Sequence, residues 1–336
     1  MKPLNYAIAL ETRGYDYVFE HIGIEPSGHS FNEMVLDHRR RDDGTGTAVP
    51  HNPLINAGAI MCCSLIDEGK SIDHKLKTVL GYWKRLVGNE TKCEINQEMY
   101  ESESKTADRN RCLAYMMNEY GGFPNQAILE NELEFYFMCC SQMQTTESMA
   151  IVAGTLANGG RCPTTNERIF SPETVQSVLS VMFTCGMYDY SGQFSFSMGF
   201  PAKSGVAGAI LIVIPNVMGI CTWSPRLDLN GNSVRGILYA RGLANIYQIH
   251  NFDKVSGKMK VLSKTNKEEN VEEEEGGPAD FTTGEEKNSH PETNRRISQL
   301  DAVTSSWNVD TSQMKINPLF RPCERESICI YIFVDI

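Results

Sequence analysis

The sequence lacks the residue patterns that identify several large classes of protein. It has no apolar run long enough to span a bilayer, no HExxH or CxxC zinc motif and no phosphate-binding P-loop. It also lacks an excess of basic residues, since 31 Lys and Arg stand against 42 Asp and Glu, for a net charge of −11. These absences argue against a membrane span, a nucleic-acid partner and a metal site.

Cysteine is present, but not in a pattern that predicts a disulfide framework. The 11 cysteines are an odd number, and the adjacent pairs Cys62–Cys63 and Cys139–Cys140 lie inside apolar segments. No secretory signal or transit segment is recognisable. We therefore expect reduced, buried thiols in an intracellular protein.

Much of the negative charge lies in one polar stretch near the C-terminus. Residues 255–310 contain few large apolar side chains, so burial cannot offset the ordering entropy and disorder is expected there. We therefore divide the chain into a globular domain at 1–253 and an acidic tail at 254–336 with the apolar ending SICIYIFVDI. A second charged run, at 38–46, predicts an exposed loop.

The globular part alternates helix and strand signals. Ser171–Pro172 predicts the start of one helix, and Thr145–Thr146 offers a cap for another. The apolar runs 209–214 and 217–223 predict two buried strands joined by a short turn, and 232–250 returns to helical periodicity.

Three stretches combine Gly or Pro with clustered polar residues, a composition typical of sites on rigid supports. They contain Asn56, then Glu103 with Asn110, then Tyr188 with Lys203. Each residue also has an ordinary structural interpretation, as a turn residue, a helix cap or a half-buried phenol.

The third stretch adds a Lys-Ser-Gly turn before the buried strand pair, which is typical of serine hydrolases of the β-lactamase and penicillin-binding type. That chemistry needs Ser-x-x-Lys at a helix start, where the serine becomes the nucleophile. Two strings match, Ser102–Lys105 and Ser312–Lys315. The first lacks a suitable apolar helix face and the second lies at the edge of the acidic tail, so we assign neither as the nucleophile.

Many ordered blocks closely resemble the glutaminases, in particular the animal phosphate-activated mitochondrial type. The similarity runs from Lys2 to about Asp253 and includes KPLNYAIALETRG, HNPLINAGAI, ESESKTADRN, GMYDYSGQF and PAKSGVAGAI. The resemblance implies an α+β, multi-layer fold of the serine β-lactamase and penicillin-binding-protein type, with a sheet, packed helices and a helical subdomain.

The same resemblance implies an activity and its requirements. Family members hydrolyse L-glutamine to L-glutamate and ammonia through a serine acyl-enzyme and use no organic cofactor. Inorganic phosphate is the candidate activator, and a homo-oligomer, either a dimer or a tetramer, is expected. The resemblance implies a mitochondrial location, whereas a genuine start at Met1 would imply the cytoplasm.

The resemblance also implies roles for individual residues. Lys2 matches the lysine of the family's Ser-x-x-Lys-Pro motif and is expected to be catalytic. Tyr188 matches the tyrosine that shares proton transfer, and the backbone N–H of Val206 is expected in the oxyanion hole. The residues expected to bind substrate are Asn56, Glu103, Asn110, Tyr136, Tyr188 and Val206.

The chain departs from the family pattern at both ends. The family's serine lies three residues before Lys2, which is before Met1, and the N-terminal strands of the sheet lie earlier still. We therefore expect an N-terminally truncated chain without significant turnover, with an unpaired sheet edge. The segment 38–49 replaces a shorter connection, next to the loop that follows EPSG.

Three hypotheses remain open from the sequence. The first is a glutaminase, and the second is a non-catalytic glutaminase-like fragment or a scaffold partner in an oligomer. The third is a penicillin-binding-type hydrolase with another substrate. The third is disfavoured by the set of residues that match the glutamine pocket, namely Asn56, Glu103, Asn110 and Tyr136.

Overall fold

The computed structural model describes residues 1–40, 44, 46–88, 93–247, 249–253, 255 and 329–334. Helices dominate this part of the chain. They are α1 (Lys2–Arg13), α2 (Tyr15–His21), α3 (Asn56–Leu65), α4 (Ile72–Leu86), α5 (Gln97–Lys105), α6 (Asp108–Glu119), α7 (Leu129–Cys140), α8 (Thr146–Ala157), α9 (Pro172–Cys185), α10 (Ser191–Met198) and α11 (Val234–Tyr247), with a 3-10 helix at Tyr188–Tyr190.

The strands form small antiparallel sheets, so the predicted α+β class is confirmed. They are β1 (Asp37–Arg40), β2 (Gly46–Val49), β3 (Glu94–Ile95), β4 (Gln142–Met143), β5 (Ala202–Ser204), β6 (Ala209–Ile214), β7 (Met218–Trp223) and β8 (Cys329–Val334). Within the described residues β1 pairs with β2 and β3 with β4. The remaining four form a sheet in the order β5-β6-β7-β8.

Helix α1 is a central helix of the fold. Every residue from Pro3 to Leu10 is buried, and the helix packs against α3 and α9. Pro3 is tolerated in the first turn because its missing N–H would have no intrahelical partner there. Gly14, with a φ of 81°, ends the helix. The buried first turn therefore fixes the position of Lys2.

Two predicted helix starts are confirmed in detail. Thr145 caps α8 in a capping box: its side-chain oxygen accepts a bond from the backbone N–H of Ser148, and the Ser148 hydroxyl accepts one from the backbone N–H of Thr145. Ser171 caps α9 with Pro172 at the first helical position. The carboxylate of Glu11, on α1, also accepts a bond from the backbone N–H of Ser171, which ties α1 to the positive end of the α9 dipole.

The predicted strand pair is also confirmed, and its alternating side chains separate two cores. Leu211 and Val213 of β6 face a main core that includes α1, α3, α7 and α8. Ile210 and Ile212 face a second core formed with α10 and α11. The period of two along a strand sends successive side chains to opposite faces, so both faces of the sheet are covered.

The charged run at 38–46 is not the irregular loop that the sequence predicts. Asp37–Arg40 and Gly46–Val49 pair as antiparallel strands, with Asp37 opposite Val49. Residues 41–43 and 45 lie outside the described part. The pairing is explained by burial on one side, since Ala48 and Val49 pack into the interior while His38 and Arg40 stay exposed.

The sheet edge at β7 is paired, and β5 and β8 are the outer strands of the described sheet. The apolar segment Cys329–Val334 pairs with β7 along its whole length, because an extended apolar strand satisfies the hydrogen-bonding groups of an open edge. The disorder predicted for 255–310 falls almost wholly on residues 256–310, which lie outside the described part.

The nine cysteines whose side chains are described are free thiols. Cys62, Cys63 and Cys139 are buried, whereas Cys140 is half-buried and Cys112 is exposed. No described helix combines the length and the apolar content that crossing a membrane requires.

Candidate active site

The first turn of α1 places Lys2 at the centre of a polar cluster. Its Nζ donates to Asn56 Oδ1 at 2.7 Å and lies 5.3 Å from the centroid of the Phe31 ring. Burial lowers the pKa of Lys2 to about 8, although Cys140 and Glu103 act in the opposite direction. Such a lysine is partly neutral near pH 8, so its nitrogen can accept a proton.

The partner of Lys2 is held by a second amide. Asn56 is the first residue of α3, and its Nδ2 donates to Asn110 Oδ1 on α6 at 2.9 Å. The small residues after Asn56 have a packing reason, because a Cβ at Gly58 would lie 1.9 Å from the carbonyl oxygen of Asn52. Lys2, Asn56 and Asn110 therefore form a hydrogen-bonded chain with a fixed amide orientation.

A second group of residues surrounds Tyr188. This residue has a φ of 56°, a left-handed conformation that is unusual for a non-glycine residue. Its hydroxyl donates to the carbonyl oxygen of Ser204 at 3.1 Å, and the backbone N–H of Val206 is directed at the same hydroxyl. Burial raises the pKa of Tyr188 to about 12, partly offset by that N–H. Backbone strain of this kind often marks a functional site.

Phe31 and Lys203 join the two groups. The Phe31 ring lies 5.0 Å from the Tyr188 ring, so Phe31 contacts both Tyr188 and Lys2. Lys203 Nζ lies 4.6 Å from the centroid of the Tyr188 ring and donates to the carbonyl oxygen of Ser204. Burial, together with the charge of Lys2, holds the pKa of Lys203 well below its usual value.

Helices α5 and α7 complete the cluster on the other side of Lys2. Tyr136 is buried, and its hydroxyl is hydrogen-bonded to the thiol of Cys140, one turn later on α7. Burial raises the pKa of Tyr136 well above its usual value. The half-buried carboxylate of Glu103 acts electrostatically on Lys2, Tyr136 and Cys140. A carboxylate here offers a partner for a cationic group of a ligand.

The structure thus brings the seven predicted site residues into one region. One group surrounds Lys2 and the other Tyr188, and Phe31 touches both. The sequence assigned no role to Cys140, and it named Lys203 only as part of the third candidate stretch and its Lys-Ser-Gly turn. The i, i+4 spacing of Tyr136 and Cys140 on α7 is the signal that could have placed the thiol beside Lys2.

One of the two internal Ser-x-x-Lys strings can be judged from its surroundings. Ser102 and Lys105 are exposed on α5, and Lys105 Nζ lies 3.7 Å from a carboxylate oxygen of Glu101. This lysine makes a surface ion pair and is not buried beside its serine. The other string, Ser312–Lys315, lies outside the described residues.

Comparison with known proteins adds the following findings. The family model described as Glutaminase matches residues 1–252. The mitochondrial liver isoform of glutaminase from Rattus norvegicus is 44% identical over 253 residues, which are 75% of this chain and 40% of that protein. The glutaminase of Trichormus variabilis is 39% identical over 75% of this chain and 72% of its own length. The chain thus spans only 40% of the length of the animal relative.

The structural comparison also finds glutaminases. A crystal structure of a Bacillus glutaminase in 4.3 M NaCl superposes with a TM-score of 0.65 at 31% identity, covering 75% of this chain and 84% of that one. The crystal structure of Mglu in its native form gives a TM-score of 0.67 at 37% identity, covering 74% of this chain and 58% of its own. These neighbours have the serine β-lactamase-like fold, so the predicted fold class is confirmed.

Proposed function

Because the chain belongs to the glutaminase family, we propose that its site binds L-glutamine and is built to hydrolyse the side-chain amide to L-glutamate and ammonia. The observation that carries the proposal is the buried Lys2, whose Nζ donates to Asn56 while burial lowers its pKa to about 8. A lysine poised near neutral pH suits a proton acceptor in acyl transfer.

The groups around Lys2 match the two charged ends of the substrate. The carboxylate of Glu103 suits the α-ammonium group. The amides of Asn56 and Asn110 and the hydroxyl of Tyr136 can hydrogen-bond the remaining polar atoms without adding charge. The site then offers a zwitterionic ligand one carboxylate and several neutral hydrogen-bonding groups.

In the proposed reaction, a serine hydroxyl attacks the amide carbon of glutamine and passes its proton to Lys2. The carbonyl oxygen becomes an oxyanion, which the backbone N–H of Val206 stabilises. Tyr188 lies against that N–H and donates the proton with which ammonia leaves. Water then attacks the acyl-enzyme and gives a proton to the Tyr188 phenolate, while Lys2 returns its proton to the departing serine oxygen as L-glutamate is released.

The serine of this scheme is inferred from the family motif, and it would lie two residues before Met1. That position precedes Met1, so it is not one of residues 1–336. We therefore predict that a polypeptide of these 336 residues binds L-glutamine but releases ammonia orders of magnitude more slowly than an intact family member, as expected when a nucleophile is missing.

Two measurements test the proposal together. Calorimetric titration of the 336-residue polypeptide with L-glutamine is expected to show binding that Glu103→Gln weakens at least tenfold, while the matched variant Glu101→Gln, on the same helix, leaves binding unchanged. Ammonia release is followed in parallel. Failure to bind L-glutamine would contradict the proposed substrate, and turnover near the rate of an intact family member would contradict the role of the serine.

The second hypothesis is a non-catalytic glutaminase-like fragment or a scaffold partner in an oligomer. Restoring an in-frame serine two residues before Met1 separates the two, because only an enzyme gains turnover. Activation by inorganic phosphate, the homo-oligomer and the mitochondrial location stay predictions from the family resemblance.

A further inference from the structure

The outer edge of β7 carries a strand from outside the part of the chain that matches the family. On one side β7 pairs with β6, and on the other it pairs antiparallel with β8. The second pairing runs from Met218 opposite Val334 to Trp223 opposite Cys329. The family match ends at residue 252, so β8 lies well beyond it.

The side chains of β8 also fit the surface that they meet. Ile330 and Ile332 are two residues apart, so they share one face of the strand, and both pack against the second core as partly buried groups. Ile332 lies opposite Ile220, which is fully buried in that core. The strand therefore contributes both backbone hydrogen bonds and apolar contacts.

The sheet links this edge to the candidate active site. Strand β5 holds Lys203 and Ser204 at the opposite edge, just before Val206, and it is joined to β7 through β6. Without a partner, β7 would present open N–H and C=O groups and the apolar side of the second core to water. Whatever covers β7 thus supports the sheet on which Val206 is presented.

We propose that the outer edge of β7 is a strand-docking site and that Cys329–Val334 of the same molecule is its occupant. Docking adds a fourth strand to a sheet that would otherwise have three, and closes the second core. The apolar end of the acidic tail is then a working part of the fold, although it lies outside the family domain.

A disulfide test in the full chain examines both the pairing and its source. Thr222 lies opposite Ile330, and directly opposed residues place their Cβ atoms about 4.5–5.5 Å apart, close to disulfide range. Thr222→Cys with Ile330→Cys is compared with Thr222→Cys with Ile332→Cys, a diagonal pair about 7–8 Å apart. Both variants carry Cys221→Ala and Cys329→Ser, and mass spectrometry of peptides after mild oxidation locates the bond.

The expected result is a cross-link within monomers for 222–330, at least tenfold more abundant than for 222–332. Equal or absent cross-linking of the two pairs would overturn the pairing. Cross-linking only between molecules would mean that a second copy supplies the strand, which would overturn the proposed occupant.

Hydrogen exchange provides a readout that does not depend on engineered cysteines. Ile332→Asp in the full chain is expected to speed amide exchange in Met218–Trp223 at least tenfold, because a charge on the core-facing side expels β8. The matched variant Val255→Asp, at an exposed apolar residue, should leave that exchange unchanged. Unchanged exchange in Ile332→Asp would overturn the proposal, whatever the binding of L-glutamine.

Discussion

At the scale of single residues, the environment of Lys2 decides its chemistry. Burial lowers its pKa from 10.5 to about 8, so folding releases a proton between these pH values. The unfolded chain binds more protons in that window, and the contribution of Lys2 to stability therefore rises as pH increases from 8 to 10.5. The buried lysine costs stability at neutral pH, which is the pattern expected of a group kept for function.

Replacing the nearby carboxylate should shift this pKa further. Glu103 raises the pKa of Lys2, so Glu103→Gln is expected to lower it below 8. A pH titration of ¹³C-labelled lysines by NMR measures the change, with the Lys2 signal assigned from its loss in Lys2→Met. Glu101→Gln, which alters an exposed carboxylate of the same helix, should have no effect. A pKa that stays near 8 in Glu103→Gln would show that Glu103 does not act on Lys2.

The sequence could name candidate site residues but not all of the groups that contact them. Lys2 and Val206 were assigned only through the family motifs, because a lysine after Met1 and a valine in a turn have no chemical signal of their own. Cys140 was missed since a thiol in an apolar helix is usually a core residue. The contact of Cys140 with the site is seen only in the structure, where one turn of α7 places its thiol beside Tyr136.

At the scale of elements, one buried ion pair ties α4 to α7. Lys75 Nζ lies 2.7 Å from one carboxylate oxygen of Glu132 and 2.9 Å from the other, and it also donates to the carbonyl oxygen of Cys63 on α3. Both side chains are almost fully buried. Burial raises the pKa of Glu132, and Lys75 works against that rise. The helix that carries Tyr136 is therefore anchored by this pair.

Removing only one residue of the Lys75–Glu132 pair should lower the free energy of unfolding far more than removing both. Lys75→Met leaves a buried carboxylate without a cation and is expected to cost about 3–5 kcal/mol, measured as the free energy of unfolding in urea. The double variant Lys75→Met with Glu132→Leu should recover most of that loss, because no charge remains buried. A double variant less stable than Lys75→Met would show that the pair stabilises the fold through more than charge compensation.

Elements with local signals were predicted well from the sequence, and those set by distant contacts were not. The caps at Thr145 and Ser171 and the strands β6 and β7 follow from short-range chemistry. The β1–β2 hairpin was missed because its charged residues are typical of a loop, and its pairing depends on burial of Ala48 and Val49. Such burial is a property of the folded chain as a whole.

At the scale of the whole molecule, the four-stranded sheet divides the main core from the second core. The position of β8 could not be predicted from the sequence, because the sequence of a six-residue strand does not specify which strand it pairs with. Residues 256–328 separate it from the rest of the described chain. The pairing therefore depends on the open edge of β7 and on the apolar face of the second core.

The spacing of the layers depends on one close approach, and this gives a last prediction. A Cβ at Gly219 of β7 would lie 2.0 Å from the backbone nitrogen of Gly154 on α8, so neither layer can yield without moving its backbone. Gly219→Ala is expected to destabilise the protein by about 1–3 kcal/mol or more, as overpacked cores do, measured by urea unfolding.

Gly81→Ala is the matched control, because an added Cβ meets nothing within 4 Å at this exposed position of α4 and should stabilise the helix by about 0.5–1 kcal/mol. If Gly219→Ala proved as stable as Gly81→Ala, the helix layer would not rest directly on the sheet, and the separation of the two cores would need another cause.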